Sequence, residues 1–145
     1  MTNRLPKIRW GSMLVGLLFS AIAFGGTTIG QTRLEDKKWV VEILNGKSVE
    51  IEGTKPFISF DAANQSAGGN TGCNLFGGSY AVSGDTIRIF DTVSSMRACI
   101  EDDRMEIERK FMDALQNANR FEIKNKKLYL YRKDKILAVL HGENK

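Results

Sequence analysis

Short segments in which apolar and polar residues alternate follow one another through most of the chain after residue 37. The first of them, residues 39–44, reads WVVEIL and is rich in β-branched and aromatic residues, which favour strands. It is followed by Asn45-Gly46, a dipeptide typical of a two-residue β-hairpin turn. Residues 48–51 are therefore predicted to return as the second strand of a hairpin.

Further strands are predicted wherever a segment of this kind lies between turn residues. In residues 86–90, which read TIRIF, Ile87 and Ile89 alternate with the other three residues, so this strand has one buried face. Residues 62–69 are small and polar and predict a turn or an irregular edge, whereas residues 93–99 are ambiguous and favour an extended conformation. The remaining predicted strands are residues 57–61, 80–82, 120–124, 128–132 and 136–140.

Only one segment has the period of an α-helix. It begins at Glu101, the first of three consecutive acidic residues, which suit the positive end of a helix dipole. The apolar residues that follow recur at helical spacing and predict one buried stripe, formed by Ile107, Phe111, Ala114, Leu115 and Ala118. Many short strands and one helix predict a mainly β (α+β) fold, an antiparallel sheet with one packed α-helix.

The N-terminal segment differs in composition from the rest of the chain. Residues 1–9 carry three basic residues and no acid, and residues 10–29 carry no charge and have an apolar centre. With Ala21 and Ala23 ahead of the cleavage point, this order predicts a secretory signal peptide, residues 1–23. The alternative is an uncleaved membrane anchor that extends to about residue 29.

Cleavage would leave three parts. Residues 24–37 are expected to be a flexible N-terminal segment, residues 38–141 the folded domain, and residues 142–145 a tail. The expected location is periplasmic or secreted, or membrane-anchored if the N-terminal apolar segment is retained. Because no cysteine precedes Cys73, a lipid anchor of the bacterial type is excluded.

The net charge changes when the signal is removed. The whole chain has 21 basic and 17 acidic side chains, a net charge of +4, and three of the basic residues lie in residues 1–9. The remainder has 18 basic against 17 acidic side chains, a net charge of +1. Bulk charge therefore gives little support to a nucleic-acid partner.

Residues 68–80 read GGNTGCNLFGGSY and contain five glycines. Their spacing resembles that of a phosphate-binding loop, but Gly78 stands where that loop needs its lysine. Glycines within strands mark bends, bulges or the close approach of another backbone. We therefore interpret this segment as architecture, a strongly bent part of the sheet.

The two cysteines, Cys73 and Cys99, are the only ones in the chain. Export favours a disulfide between them, which would contribute about 3.5 kcal/mol of stability by the loop-entropy relation; two separate buried thiols are the alternative. The single histidine, His141, lies close to the expected tail, so no catalytic residue, metal site or cofactor is predicted.

These residues resemble the META domain, the family of the HslJ-type heat-shock proteins. The resemblance covers about residues 39–140 and rests on two motifs and the helix that follows them. The motif positions are Asn70, Gly72, Cys73, Asn74, Gly77, Gly78, Ser79, Tyr80, Ser95, Met96, Arg97, Ala98 and Cys99. The resemblance implies a bent sheet or a partly open, lipocalin-like barrel with one helix, and an exported protein associated with stress tolerance, antibiotic resistance or virulence.

The second motif departs from the family pattern. The family places a basic residue before the methionine, whereas here Met96 precedes Arg97, and Ile100 stands where proline is usual. Neighbouring residues of an extended segment point to opposite faces. The exchange is therefore expected to change which of the two side chains faces the core, unless a bulge absorbs it.

The function predicted from these observations is that of a non-catalytic, exported envelope protein that supports stress tolerance or antibiotic resistance through binding or stabilisation. One alternative is a small apolar-ligand carrier, and another is an envelope or secretion-apparatus interaction module that uses an exposed strand edge. The expected partners are accordingly an unidentified envelope protein or a small apolar ligand, with no nucleic acid and no metal. The candidate pocket of a carrier is lined by Phe57, Phe60, Phe76, Tyr80 and Phe90.

Overall fold

The computed structural model describes residues 32–97, 99 and 102–145. The predicted signal peptide, the alternative anchor and motif residue Ala98 lie outside these residues. Among the residues described, no helix is both long and apolar enough to cross a membrane.

Nine antiparallel strands and one α-helix make up the described part of the chain, as the alternating pattern predicts. A single 3₁₀ turn, η1, precedes them at Leu34–Asp36. The strands are β1 (Lys37–Leu44), β2 (Lys47–Ser48), β3 (Phe57–Asp61), β4 (Ser66–Asn70), β5 (Leu75–Ser83), β6 (Thr86–Ser94), β7 (Arg120–Lys124), β8 (Lys127–Arg132) and β9 (Lys135–Asn144), and the helix α1 is Asp102–Asn117.

The sheet bends until its two ends meet. Its order is β2-β1-β3-β4-β5-β6-β7-β8-β9, and β1 also pairs with β9, so the strands form a closed ring. The predicted hairpin turn is confirmed, since Leu44 pairs with Lys47 and both Asn45 and Gly46 have positive φ. The returning strand has only two residues, however, and β3 pairs with the same edge of β1 further along, from Val40 to Lys38.

The pairing of β1 with β9 closes the ring and extends the domain beyond its predicted boundaries. Lys37 pairs with Asn144 and Trp39 with Gly142, so most of the expected tail is strand. Leu34, within the segment expected to be flexible, is buried in the core, and its carbonyl accepts a hydrogen bond from Trp39 Nε1 at 2.8 Å. The two ends of the domain are part of the sheet because β1 and β9 pair with each other through backbone hydrogen bonds.

The ring is weakest between β6 and β7. Their only strand pair is Thr86 with Arg120, flanked by a hydrogen bond from Phe121 N to Asp85 O at 2.8 Å. Helix α1 packs against β6, β1, β8 and β9. The predicted apolar stripe of the helix faces the core, with Phe111, Ala114, Leu115 and Ala118 buried and Ile107 partly buried.

Strand β4 corrects the prediction for residues 62–69. Residues 62–65 do form a turn, but Ser66–Asn70 is a regular strand between β3 and β5. Propensity missed it because glycine is a poor strand former. Gly69 is required by close packing, since a Cβ atom there would lie 1.9 Å from the carbonyl oxygen of Phe57.

We predict that Gly69→Ala destabilises the domain by about 3 kcal/mol, because the backbone of β3 must move to admit the methyl group. Gly77→Ala is the matched control, since a Cβ atom at Gly77 meets no atom within 4 Å; its stability should change by less than about 1 kcal/mol. Urea unfolding of both variants measures the difference. Equal stabilities would contradict the close approach of β3 and β4.

Candidate functional site

The first motif forms a tight turn at residues 70–74. The Thr71 hydroxyl is fully buried, accepts a hydrogen bond from Asn74 N at 2.8 Å and donates to Asn74 O at 3.1 Å. Gly72 has φ of +93°, a conformation that favours glycine, and its N–H donates to Asn70 Oδ1 at 2.7 Å. The turn therefore depends on the residue types of the motif.

The side chain of Asn74 connects this turn to the second motif and to the helix. Its Oδ1 accepts hydrogen bonds from Arg97 N at 2.9 Å and Ser95 Oγ at 3.1 Å. Its Nδ2 donates to Arg97 O at 3.1 Å and to Glu108 Oε2 at 2.8 Å. The buried amide is thus fully satisfied, and it holds residues 95–97 beside α1.

The disulfide between Cys73 and Cys99 confirms the predicted pairing and fixes the same segment covalently. The two Cα atoms are 6.0 Å apart and the bond spans 26 residues. The start of α1 is tied to the turn as well, because Arg104 donates to the carbonyl oxygens of Gly72, at 2.9 Å, and Glu52. Turn, second motif and helix therefore form one fixed unit.

A groove of about 1110 Å³ lies between this unit and the outer end of β6. We call it the β6–α1 groove; the lining residues that matter below are Thr92, Val93, Ser94, Met96, Arg97, Met105, Arg109 and Met112. The exposed fractions of Met96, Val93 and Met105 are 97%, 71% and 49%. Leu75, which is 61% exposed, lies on the neighbouring strand. Most of the exposed large apolar side chains of the described domain are thus gathered here.

The exchanged order of Met96 and Arg97 has a different consequence from the one expected. Neither side chain faces the core, since both are exposed. The Arg97 backbone is held by Asn74, and Met96 extends into solvent at the groove. The groove is not predictable from the sequence pattern because its methionines come from separate segments; the signal available was the position of Met112 beside the apolar stripe of the helix.

The acidic side chains around the groove have partners within the protein, whereas two of the basic side chains have none among the residues that the structure describes. Glu106 pairs with Lys110, whose hydrogen bond and charge lower the pKa of the Glu106 carboxyl, and Glu108 accepts the Asn74 amide. Within the described chain, the guanidinium groups of Arg97 and Arg109 make no ion pair or hydrogen bond. The carboxylates are therefore engaged within the protein, and two guanidinium groups keep their donors available.

The five rings of the predicted pocket do not face one cavity. Phe60, Phe76 and Tyr80 are buried in the core. Phe57 and Phe90 lie on the outer surface, where Lys38 Nζ is 4.9 Å from the Phe57 ring and the Arg88 guanidinium is 4.8 Å from the Phe90 ring. The alternation of strand residues separates them, because Phe57 and Phe60 are an odd number of positions apart.

A second hollow, of about 570 Å³, lies at the end of the ring near η1. We call it the ring-mouth hollow; its apolar lining is Leu34, Val82, Phe121 and Ile123, with Arg33, Glu35, Asp85 and Glu122 at its margin. Tyr80 OH donates to Glu35 Oε1 at 2.6 Å. Burial, together with this hydrogen bond, raises the pKa of Tyr80 to about 12, so the phenol is neutral at physiological pH.

His141 lies on β9 and not in a mobile tail, because it pairs with Val40 and Lys127. Its Nε2 is 3.1 Å from Glu143 Oε1, and its Nδ1 is 3.4 Å from Glu42 Oε1. Residues 32–97, 99 and 102–145 contain no group of three or more His, Cys, Asp or Glu side chains placed to hold a metal ion.

Fold and site together define a class: a ring-shaped antiparallel β domain with one helix and a groove fixed by a disulfide. A sequence profile of the META domain matches residues 32–143, and the chain therefore belongs to the META domain family. The resemblance drawn from the two motifs is confirmed.

Solved structures share the fold at low sequence identity. One determined by NMR, of a protein from Burkholderia xenovorans, is 19% identical and has a TM-score of 0.63, with 77% of this chain and 85% of that chain covered. A second NMR structure is 21% identical, with a TM-score of 0.60 and coverages of 74% and 90%. The crystal structure of a DUF4847 family protein from Bacteroides vulgatus is 15% identical, with a TM-score of 0.56 and coverages of 77% and 96%.

At these identities the similarity extends to the fold alone. A search of proteins with curated descriptions found no match.

We predict that Asn74→Ala destabilises the domain by about 2–3 kcal/mol, since it removes the hydrogen bonds of the buried amide to Ser95, Arg97 and Glu108. Asn144→Ala is the control, because Asn144 is exposed and its side chain bonds only Lys37 Nζ; a change below about 0.5 kcal/mol is expected. Urea unfolding of the oxidised proteins measures both. If Asn74→Ala lowers the free energy of unfolding no more than the control does, the amide network does not hold the site.

Proposed function

We propose that this chain is a non-catalytic binding domain of the cell envelope, exported from the cytoplasm, which supports tolerance to stress or antibiotics through binding or stabilisation. The observation that carries the proposal is the β6–α1 groove, which exposes Val93, Met96 and Met105 beside a unit fixed by the Cys73–Cys99 disulfide. Family membership adds support for the class of protein.

Exposed apolar side chains gathered in one place are typical of binding surfaces. Methionine suits such a surface because its flexible, polarisable side chain adapts to different partners. The wall that carries Met96 is held by the Asn74 amide and by the disulfide. The exposed apolar surface is thus part of a rigid structure, which lowers the entropy cost of binding.

Export is supported by two independent features. Disulfides persist in oxidising compartments, and the Cys73–Cys99 bond lies inside the folded domain. The basic and then apolar order of residues 1–29 is that of a secretory signal.

The absence of catalysis is part of the proposal and is supported by the position of His141. Its ring nitrogens lie next to the carboxylates of Glu42 and Glu143 on β1 and β9, and it lines neither the groove nor the hollow. A histidine held in this way supports the ion pairs of two paired strands.

A complementation experiment tests the function. A strain of the source organism that lacks the gene receives the wild type or a groove variant, Val93→Asp/Met96→Asp, and survival after heat and after envelope-targeting antibiotics is counted. We expect the groove variant to survive no better than the deletion strain, because charges replace the apolar surface while both positions are solvent-exposed.

The matched control is Ile136→Asp, at an exposed apolar residue that lies outside the groove. It should restore tolerance fully, and urea unfolding must show equal stability for all variants. Full tolerance with the groove variant would contradict the proposal.

A small apolar-ligand carrier is the second candidate, and the ring-mouth hollow is the observation that favours it. Its volume of about 570 Å³ lies within the range of small-molecule pockets. The rings of Phe57 and Phe90, which face outward, are not part of this site.

Native mass spectrometry of protein purified from the source organism tests the carrier. If the hollow holds a ligand, the wild type should retain an additional mass that organic solvent removes, and Ile123→Trp should lose it because the larger ring fills the hollow. Ile136→Trp, elsewhere on the surface, should retain it. A wild-type mass equal to that of the polypeptide alone would reject the carrier.

A further inference from the structure

The edge of β6 that faces the groove lacks a partner strand over its last residues. β5 pairs with β6 as far as Ser94, whereas β7 pairs with it only at Thr86. Ser95 N donates to Leu75 O at 2.9 Å, and Val93 lies opposite Gly77. Because backbone groups alternate along a strand, the N–H and C=O groups of Thr92 and Ser94 point away from β5, towards the groove.

An apolar wall stands opposite this edge. Met105 and Met112 line the groove from α1, and Met96 lines it from the second motif. An extended chain lying along β6 places every second side chain on the same face. Side chains at alternate positions would therefore reach the stripe of α1 that carries Met105, Arg109 and Met112.

The charged residues of the groove indicate which other side chains a bound ligand would carry. Each guanidinium has five N–H donors, and those of Arg97 and Arg109 are not engaged within the described chain, whereas Glu106 and Glu108 already have partners. Carboxylates pair with guanidinium groups through strong, charge-assisted hydrogen bonds. The ligand that complements the groove is therefore acidic as well as apolar.

We propose that the β6–α1 groove binds an extended segment of another protein, which carries apolar and acidic side chains on one face, as a strand added to the edge of β6. This inference rests on the proposed binding function and names the chemistry of the partner. The backbone of the added strand pairs with Thr92 and Ser94, its apolar side chains contact the methionines, and its carboxylates bind Arg97 and Arg109.

A peptide fits better than a lipid surface for a physical reason. A bilayer would cover the methionines but would offer no ordered row of N–H and C=O groups to the strand edge. Backbone groups of β6 taken out of water without partners would destabilise such a complex. An added strand satisfies them and covers the methionines together.

The experiment selects ligands from a random decapeptide library displayed on phage, using the oxidised mature chain. We expect the selected peptides to carry acidic residues two positions away from apolar ones, so that both lie on the same face of the strand. In fluorescence anisotropy, synthetic copies should bind Arg97→Gln/Arg109→Gln about tenfold or more weakly than the wild type. Arg132→Gln, at an exposed arginine on β8, is the control and should bind as the wild type does.

A second set of ligands tests strand addition directly. Copies of a selected peptide methylated on the backbone nitrogens of alternate residues keep every side chain but lose their N–H donors. One of the two alternating methylation patterns should weaken binding at least about tenfold, because only one set of N–H groups faces β6. The other pattern, which modifies the opposite edge, should leave binding nearly unchanged.

Three outcomes would overturn the inference. In the first, no selected peptide depends on Arg97 and Arg109 for binding. In the second, the selected peptides are basic, and in the third, the two methylation patterns weaken binding equally. Groove-dependent binding to phosphatidylglycerol vesicles without peptide binding would assign the surface to a membrane instead. If no peptide binds but Val93→Asp/Met96→Asp loses tolerance, only this choice of ligand is rejected. If peptides bind but that variant keeps full tolerance, the proposed function is rejected.

Discussion

The hydrogen bonds of one buried side-chain amide organise the part of the molecule to which we assign function. Asn74 is 3% exposed, and its two polar atoms bind Ser95, Arg97 and Glu108. A buried amide left unsatisfied would cost more than a single hydrogen bond contributes. The three segments that it joins must therefore fold together, and the disulfide keeps two of them adjacent even when the network opens.

The ring supplies the rigid frame for this unit. The long pairing of β1 with β9 brings the two ends of the domain together, whereas β6 and β7 diverge after one pair. Helix α1 packs against β6, and the far end of β6 lines the groove together with the helix. The groove thus arises where the ring is least completely paired, and β5 together with the disulfide prevents that region from fraying.

The family motif is explained by this architecture. Gly72 is required by its positive φ, and Gly69, outside the motif, by the approach of β3. Thr71 and Asn74 form the turn, and Cys73 attaches it to the second motif. The motif therefore shapes a surface, and the exposed side chains that line this surface, such as Met96 and Met105, are suited to contact the partner.

The sequence by itself determined the fold class, most of the strands, the helix with its buried stripe and the family. These depend on periodicity, turn chemistry and spacing, all of which are local in the chain. Only the tertiary structure decided that β4 is a strand, that Leu34 and Gly142 belong to the domain, and that Met96 and Met105 meet at one groove. Each of these depends on contacts between residues distant in sequence, and propensity carries no information about such contacts.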